Sequence, residues 1–340
     1  MFNHLWKHTY LLLALVLFLQ ACAGAGVEQT QPEPTMLKVA TQPYLAFAPF
    51  FIAEEEGYFA EQGLQIEFVR LTPKDVIPAV AQGEVDVSAG LVTAGLLNAI
   101  DRGGKIKIVA NLGSVNPTGC PNIALVASRS LAEAGELENP DQMKGKQVDV
   151  LPASWNNYYL AKLIATVGLT PEDLALTNIP SAAEIEALEK GTLDMAVISE
   201  PWLTRLLQAG HTPVLAPVQE VLPDSQVSVM LYSPRLLDEN PDAGKRFMTA
   251  YLKAVRQYNQ GKTKRNLEIL VEHTGLDQTL LEEACWSLVR NDGTINVESV
   301  LEFQDWAVKA GFLENSISEE QFWDPSFIEY ANGVLGVTSQ

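Results

Sequence analysis

The sequence predicts an α/β protein of two lobes, and three observations carry that prediction. Short apolar strands alternate with helical stretches from Leu37 to Ile198, the pattern of parallel strands joined by crossover helices. One sequence unit occurs twice: Ala81-Gln82-Gly83-Glu84-Val85-Asp86-Val87 matches Glu189-Lys190-Gly191-Thr192-Leu193-Asp194-Met195. In each copy a helix ends at a glycine and an aspartate sits one step into a strand. The roughly 300 residues beyond the N-terminal segment also exceed what one hydrophobic core serves.

The elements follow in order. Residues 37–40 read as the first strand, 50–62 as a helix with Gly63 as its C-cap, and 65–69 as an alternating strand. A helix over 75–82 and a strand over 85–88 complete the first run. In the second run 147–151 is a strand, 157–166 a helix ended by Gly168, 176–179 a strand, 182–190 a helix and 195–198 a strand. Further helices start near Val92 and near Pro201. Two strand-like segments, 122–128 and 227–233, are expected to carry the chain between the lobes. That assigns 37–122 and 228–340 to the first lobe and 123–227 to the second. The remainder has helical periodicity over 241–258, 266–274, 278–286 and 297–310, with Trp286, Trp306 and Trp323 in core or interlobe positions.

The N-terminal segment reads as a targeting signal. Lys7 supplies a positive charge and an uncharged, apolar run follows from Tyr10 to Leu19. That run is about half the ~20 residues a membrane-spanning helix needs, and it fits a signal-peptide core. Leu19-Gln20-Ala21-Cys22 resembles the bacterial lipobox, which implies export, lipidation of Cys22 and a membrane anchor. Residues 1–22 are then the leader and 23–36 a tether, rich in Ala, Gly, Gln, Thr and Pro and without apolar period.

The formal net charge is −19, and −20 once Lys7 leaves with the leader. Such acidity argues against nucleic acid or an anionic membrane surface as partner. Beyond Cys22 there are only Cys120 and Cys285. Export permits them to pair; the expectation is two buried free thiols. No Cys/His cluster suggests a metal, no Gly-rich loop a phosphate, and no nucleophile elbow a catalytic serine. Neither a cofactor nor a catalytic residue is expected.

In open α/β sheets ligands bind beyond the carboxyl ends of the strands. This nominates the segments 41–48, 88–93, 113–120, 152–158 and 199–202. Their candidate binding residues are Gln42, Tyr44, Phe47, Thr93, Asn116, Trp155, Asn156, Tyr158, Glu200 and Trp202. The aromatic rings offer flat stacking surfaces, and the amides and hydroxyls fix orientation. No Lys or Arg lies in these segments, and Glu200 is their one full charge. A neutral or cationic planar heterocycle fits that chemistry; an anion would depend on helix N-termini alone.

Pro49-Phe50-Phe51-Ile52-Ala53-Glu54-Glu55-Glu56-Gly57-Tyr58-Phe59, followed by Glu61-Gln62-Gly63-Leu64, resembles the A-x-x-x-G-Y-F-x-x-x-G-L run of a known family. Ala53, Gly57, Tyr58, Phe59, Gly63 and Leu64 carry the match. Gly83-Glu84-Val85-Asp86 and Ser199-Glu200-Pro201-Trp202 resemble its later landmarks. The family comprises periplasmic binding proteins for nitrate, alkanesulfonates, taurine and thiamine-pyrimidine precursors. The resemblance implies a type II periplasmic-binding fold, lobe closure on a small molecule, and delivery to an ABC permease and its ATPase by a monomeric, lipid-anchored protein. A thiamine-pyrimidine precursor or a riboflavin-like compound agrees with the cleft; a sulfonate, taurine or nitrate is the alternative. Eukaryotic relatives that make the thiamine pyrimidine carry a cysteine-rich motif and a reactive histidine, and this chain lacks both. A pyrimidine-modifying enzyme and a ligand-sensing lobe are the readings from other classes.

Overall fold

The computed structural model describes residues 33–336, apart from Pro43, Glu136 and Glu138. The expected leader, the lipidation of Cys22 and most of the tether lie outside the described residues. Strand β1 (Thr35–Thr41) begins inside the stretch read as tether. It pairs in parallel with β2 (Leu64–Arg70), Leu37 opposite Ile66 and Val39 opposite Phe68. On its other side lies β3 (Val87–Leu91). Strands β4 (Lys107–Ser114) and β10 (Gln226–Tyr232) complete a sheet of order β2-β1-β3-β10-β4, in which β10 runs antiparallel to both neighbours.

A second sheet is built from β5 (Ile123–Ala127), β6 (Gln147–Asp149), β7 (Ala175–Thr177), β8 (Met195–Ser199) and β9 (Thr212–Pro213). Its order is β7-β6-β8-β5-β9, with β5 antiparallel to both neighbours. The two sheets therefore share one plan. The sequence repeat shows why. Asp86 precedes β3 and its Oδ2 accepts the amide of Lys38 on β1 at 2.8 Å. Asp194 precedes β8 and its Oδ2 accepts the amide of Gln147 on β6 at 2.9 Å. Each aspartate ties the start of one strand to its parallel neighbour. The preceding glycines, Gly83 and Gly191, have φ of 72° and 67°, left-handed values that a side chain would strain.

The structure corrects several expectations. The helix expected over 50–62 is two pieces, Ala48–Glu55 and Tyr58–Glu61. It breaks at Gly57, whose φ of 72° ends the first helix. The strand expected at 85 starts at Val87, because Asp86 is spent on the neighbouring strand. Strand β4 has no counterpart in the sequence reading. The segments expected to cross between lobes each belong to a single sheet: β5 to the second and β10 to the first. The crossings are residues 115–122 and 214–225. Cys120 and Cys285 are not free thiols but a disulfide, with Cα atoms 5.9 Å apart.

The family-like run around Gly57 proves to be packing. Phe59 stacks on Phe247 at 4.9 Å, Phe50 lies 5.9 Å from Phe247 and 5.5 Å from Tyr251, and Tyr58 donates to Gln257 Oε1 at 2.6 Å. All join the first sheet's helices to the Pro241–Tyr258 helix. Among the described residues no helix is long and apolar enough to cross a membrane, and no group of three His, Cys, Asp or Glu side chains is placed to hold a metal ion.

Candidate functional site

The helix Ala94–Asp101 follows β3 and the helix Trp155–Ala165 follows β6. Each starts at the carboxyl end of its sheet, and each is capped by a hydroxyl: Thr93 Oγ1 accepts Leu96 N at 3.1 Å, and Ser154 Oγ accepts Asn157 N at 3.4 Å. Such caps satisfy amides that the first turn leaves open. The two caps meet. Thr93 and Ser154 form an antiparallel bridge between the two sheets' halves. Within it Ala94 N donates to Ala153 O at 2.8 Å and Trp155 N donates to Val92 O at 2.9 Å. Ala153 reaches this position with φ of 52°. Two of the five strand-end segments nominated from sequence, 88–93 and 152–158, thus meet at a seam.

The candidates divide around it. Thr93, in the bridge, and Asn156, two residues past Ser154, are partly exposed. Asn156 Oδ1 is buried and has no hydrogen-bond partner, a state that costs about 1–3 kcal/mol if nothing binds there. Trp155 is fully buried; its indole N–H donates to Ser225 Oγ at 2.8 Å and its ring stacks on Tyr159 at 5.8 Å. Tyr158 is buried too, 5.9 Å from Phe303 and 5.4 Å from Trp306, and burial beside Glu302 raises its hydroxyl pKa to about 12. Of these rings, read from sequence as ligand platforms, Tyr158 packs the Trp155–Ala165 helix against the Val297–Lys309 helix, and Trp155 ties it to the second crossing through Ser225. Phe47 is likewise buried, edge-on to Phe50 at 6.1 Å. Tyr44 is half-buried, and Gln42 donates to Leu71 O at 3.3 Å. Asn116 lies in the first crossing segment and accepts Thr118 N at 3.1 Å.

Glu200 and Trp202 face elsewhere. The Glu200 carboxylate accepts Thr204 N at 3.0 Å, Thr204 Oγ1 at 2.8 Å and Cys285 N at 2.9 Å. Burial raises its pKa, and those three donors oppose the rise. Trp202 lines a groove of about 500 Å³ with Arg205, Gln208, residues 275–277, Thr279 and Leu280, Arg205 lying 5.6 Å over its ring. The histidines also stand apart: His211 Nδ1 accepts Arg129 N at 3.1 Å, and His273 Nε2 lies 2.8 Å from Glu55.

Sequence reasoning missed Ser225 and a carboxyl pair in the second sheet. Asp149, the last residue of β6, accepts Thr177 Oγ1 at 3.0 Å and Ile179 N at 2.9 Å through Oδ1. Glu184, on the Ser181–Glu189 helix, shares a hydrogen bond with Asp149. Burial first, then the Asp149 charge, lifts the Glu184 pKa to about 8. At neutral pH the pair holds one proton between two carboxyls. Neither residue lies in a nominated segment, and Ser225 carries no sequence signal.

Two like-planned α/β sheets meeting at a seam of strand ends define the fold of the periplasmic binding proteins. A crystal structure of the periplasmic nitrate-binding protein NrtA from Synechocystis PCC 6803 superposes with a TM-score of 0.74 at 17% identity, covering 91% of each chain. The model of the NMT1-like family matches residues 30–271, and this chain belongs to that family. The bicarbonate transport ATP-binding protein CmpC of Synechocystis sp. is 28% identical over 203 residues, 56% of this chain and 29% of that protein. The 4-amino-5-hydroxymethyl-2-methylpyrimidine phosphate synthase of Saccharomyces cerevisiae is 30% identical over 133 residues, 39% of this chain and 36% of that protein. The chain therefore spans only about a third of the length of these two relatives.

Proposed function

We propose that this chain is the extracytoplasmic solute-binding component of an ABC importer. It captures a small planar solute at the Thr93–Ser154 seam and hands it to a permease and its ATPase. The halves that close are the first sheet with its helices and the second sheet with its helices, near the 37–122 plus 228–340 and 123–227 division read from sequence, with β10 wholly in the first. Lipidated Cys22 anchors the exported monomer to the outer face of the cytoplasmic membrane or in the periplasm. The observation that carries this reading is the meeting of two capped helix starts, one from each sheet, at strand ends.

The seam's chemistry favours a heterocycle with N–H donors, of thiamine-pyrimidine-precursor or riboflavin-like type. Four first-turn amides, of Ala94, Leu96, Trp155 and Asn157, already have acceptors within the protein. Asn156 Oδ1, a buried acceptor without a partner, calls for a donor. Tyr44, half-buried just past the end of β1, is the ring proposed to stack on the solute. The names of the bicarbonate and nitrate proteins favour a second reading, a small oxyanion at the exposed Gly95 turn. No catalytic role is assigned.

The test begins with native mass spectrometry and absorbance of protein lacking residues 1–22, purified without added ligand. A co-purified pyrimidine or flavin supports the reading. Titrations with an aminopyrimidine, riboflavin, taurine, nitrate and bicarbonate follow, on wild type, Tyr44→Ala and Asn156→Asp. Loss of the ring should weaken heterocycle binding by about 1–3 kcal/mol. Asn156→Asp keeps an acceptor, so it should preserve aminopyrimidine binding and repel nitrate or bicarbonate. Tight nitrate or bicarbonate binding with no response to the aminopyrimidine would replace the heterocycle by the oxyanion.

A further inference from the structure

The chain between the Gln278–Glu283 and Val297–Lys309 helices has no regular structure, yet it is tied down along its length. At its start Gln208 of the second half donates to Glu283 at 2.6 Å. Cys285 is bonded to Cys120 in the first crossing segment, and its amide donates to the buried Glu200 at the end of β8. Asn122, also in that crossing, donates to Ser287 Oγ at 3.0 Å. The chain then reaches the first sheet. Ser114 N, at the end of β4, donates to Leu288 O at 2.9 Å, and Asn111 N donates to Gly293 O at 2.8 Å.

Its far end engages the second crossing. Arg290 grips Asp224 through both carboxylate oxygens at 2.8 and 2.7 Å. Asn296 donates to Asp224 O at 3.0 Å, and its own amide donates to Gln226 Oε1 at 3.0 Å. Gln226 N donates to Ser299 Oγ at 2.7 Å. Residues 283–299 therefore contact the second half, both crossings and the first sheet in one continuous run. Two crossing segments alone would leave the halves free to swing about them. A third connection fixed at both ends restricts that swing.

We propose that residues 283–299 are a strap across the two crossings, locked by the Cys120–Cys285 disulfide, which sets how far the Thr93–Ser154 seam opens when no solute is bound. The inference rests on the closure reading above. The lock is accessible from one side, since Cys120 is exposed and Cys285 buried. A dithiol would cleave the S–S bond to two thiols by exchange, itself becoming a disulfide, and a phosphine would do so with one water, which supplies the oxygen of the phosphine oxide and the two thiol protons. Cleavage leaves the non-covalent contacts as restraints, among them those of Gln208, Glu200, Asn122, Arg290 and Asn296.

The test uses the ligand-free, folded protein lacking residues 1–22. Small-angle X-ray scattering is compared before and after reduction with tris(2-carboxyethyl)phosphine, with far-ultraviolet circular dichroism as a check on secondary structure. The expected result is a larger radius of gyration after reduction, unchanged circular dichroism, and a further increase in reduced Arg290→Ala, which loosens the strap's other end by removing the Asp224 ion pair while the Asn296 contacts remain. Amide exchange of residues 92–96 and 153–157 should quicken at least tenfold on reduction, while the core helix Pro241–Tyr258 stays protected. An unchanged radius and unchanged seam exchange, in both reduced wild type and Arg290→Ala, would overturn the strap. Opening without any solute binding would instead leave the strap standing and reject the solute reading.

Discussion

Replacing Glu184 by glutamine isolates the consequence of two carboxyls sharing one proton. The ordinary glutamate value is 4.5 and the folded value about 8. The folded state thus holds a proton that the unfolded chain has lost. The sign follows by linkage: below 4.5 both states are protonated and nothing is lost, stability then falls as pH rises between the two values, and above about 8 it falls no further. The interval is about three and a half powers of ten in proton affinity, at most about 5 kcal/mol, and about half that if the ionised side chain reaches water. In Glu184→Gln the amide still donates to Asp149 but never ionises. Urea unfolding should show the variant near wild type at about pH 5 and more stable by about 2–5 kcal/mol at about pH 8–9. A difference that stays constant across that range would refute the shared proton.

Other changes probe the fold and the seam. Trp155→Phe keeps a ring but loses the bond to Ser225, and should cost about 1 kcal/mol in chemical denaturation; no loss would mean the indole N–H is not engaged in solution. Asp86→Ala removes the acceptor for Lys38 N and the partner of Arg235 at 3.0 Å. It should cost about 2–4 kcal/mol, and Asp194→Ala, which loses the Gln147 amide bond alone of the contacts described, about 1.5–3 kcal/mol. Equal melting temperatures for Asp86→Ala and wild type would contradict that ranking. At Gly244 a Cβ would stand 2.7 Å from Phe327 Cε1 and 3.1 Å from Tyr232 Cε2. Gly244→Ala should therefore lower stability by about 1–3 kcal/mol, read from the thermal midpoint.

Much of the fold was legible because periodicity reports burial. The Pro241–Tyr258 helix matches its expected bounds, since its apolar face and Asn240 cap are both local. The repeated Gly-x-x-Asp unit announced two sheets of one plan. Strand β4 was not legible: Lys107–Ser114 is buried along nearly its whole length, so it lacks the alternation that marks a half-exposed strand. The disulfide joins residues 165 apart in sequence, a proximity that only the packed C-terminal chain creates. Of the five loops nominated for the candidate site, 88–93 and 152–158 meet, but the direction of their side chains was not legible. Trp155 turns to Ser225, 70 residues away, and Glu200 turns to Cys285, 85 residues away. Such choices depend on long-range partners, which spacing along the chain does not encode.

The central claim is solute capture at the seam, and hydrogen exchange measured with and without an aminopyrimidine tests it most directly. Strong protection of residues 92–96 and 153–157 is expected on addition of the compound, with little change around Trp202 and residues 275–280. Protection confined to that groove, or no protection by the aminopyrimidine, nitrate or bicarbonate anywhere near Thr93 and Ser154, would contradict it.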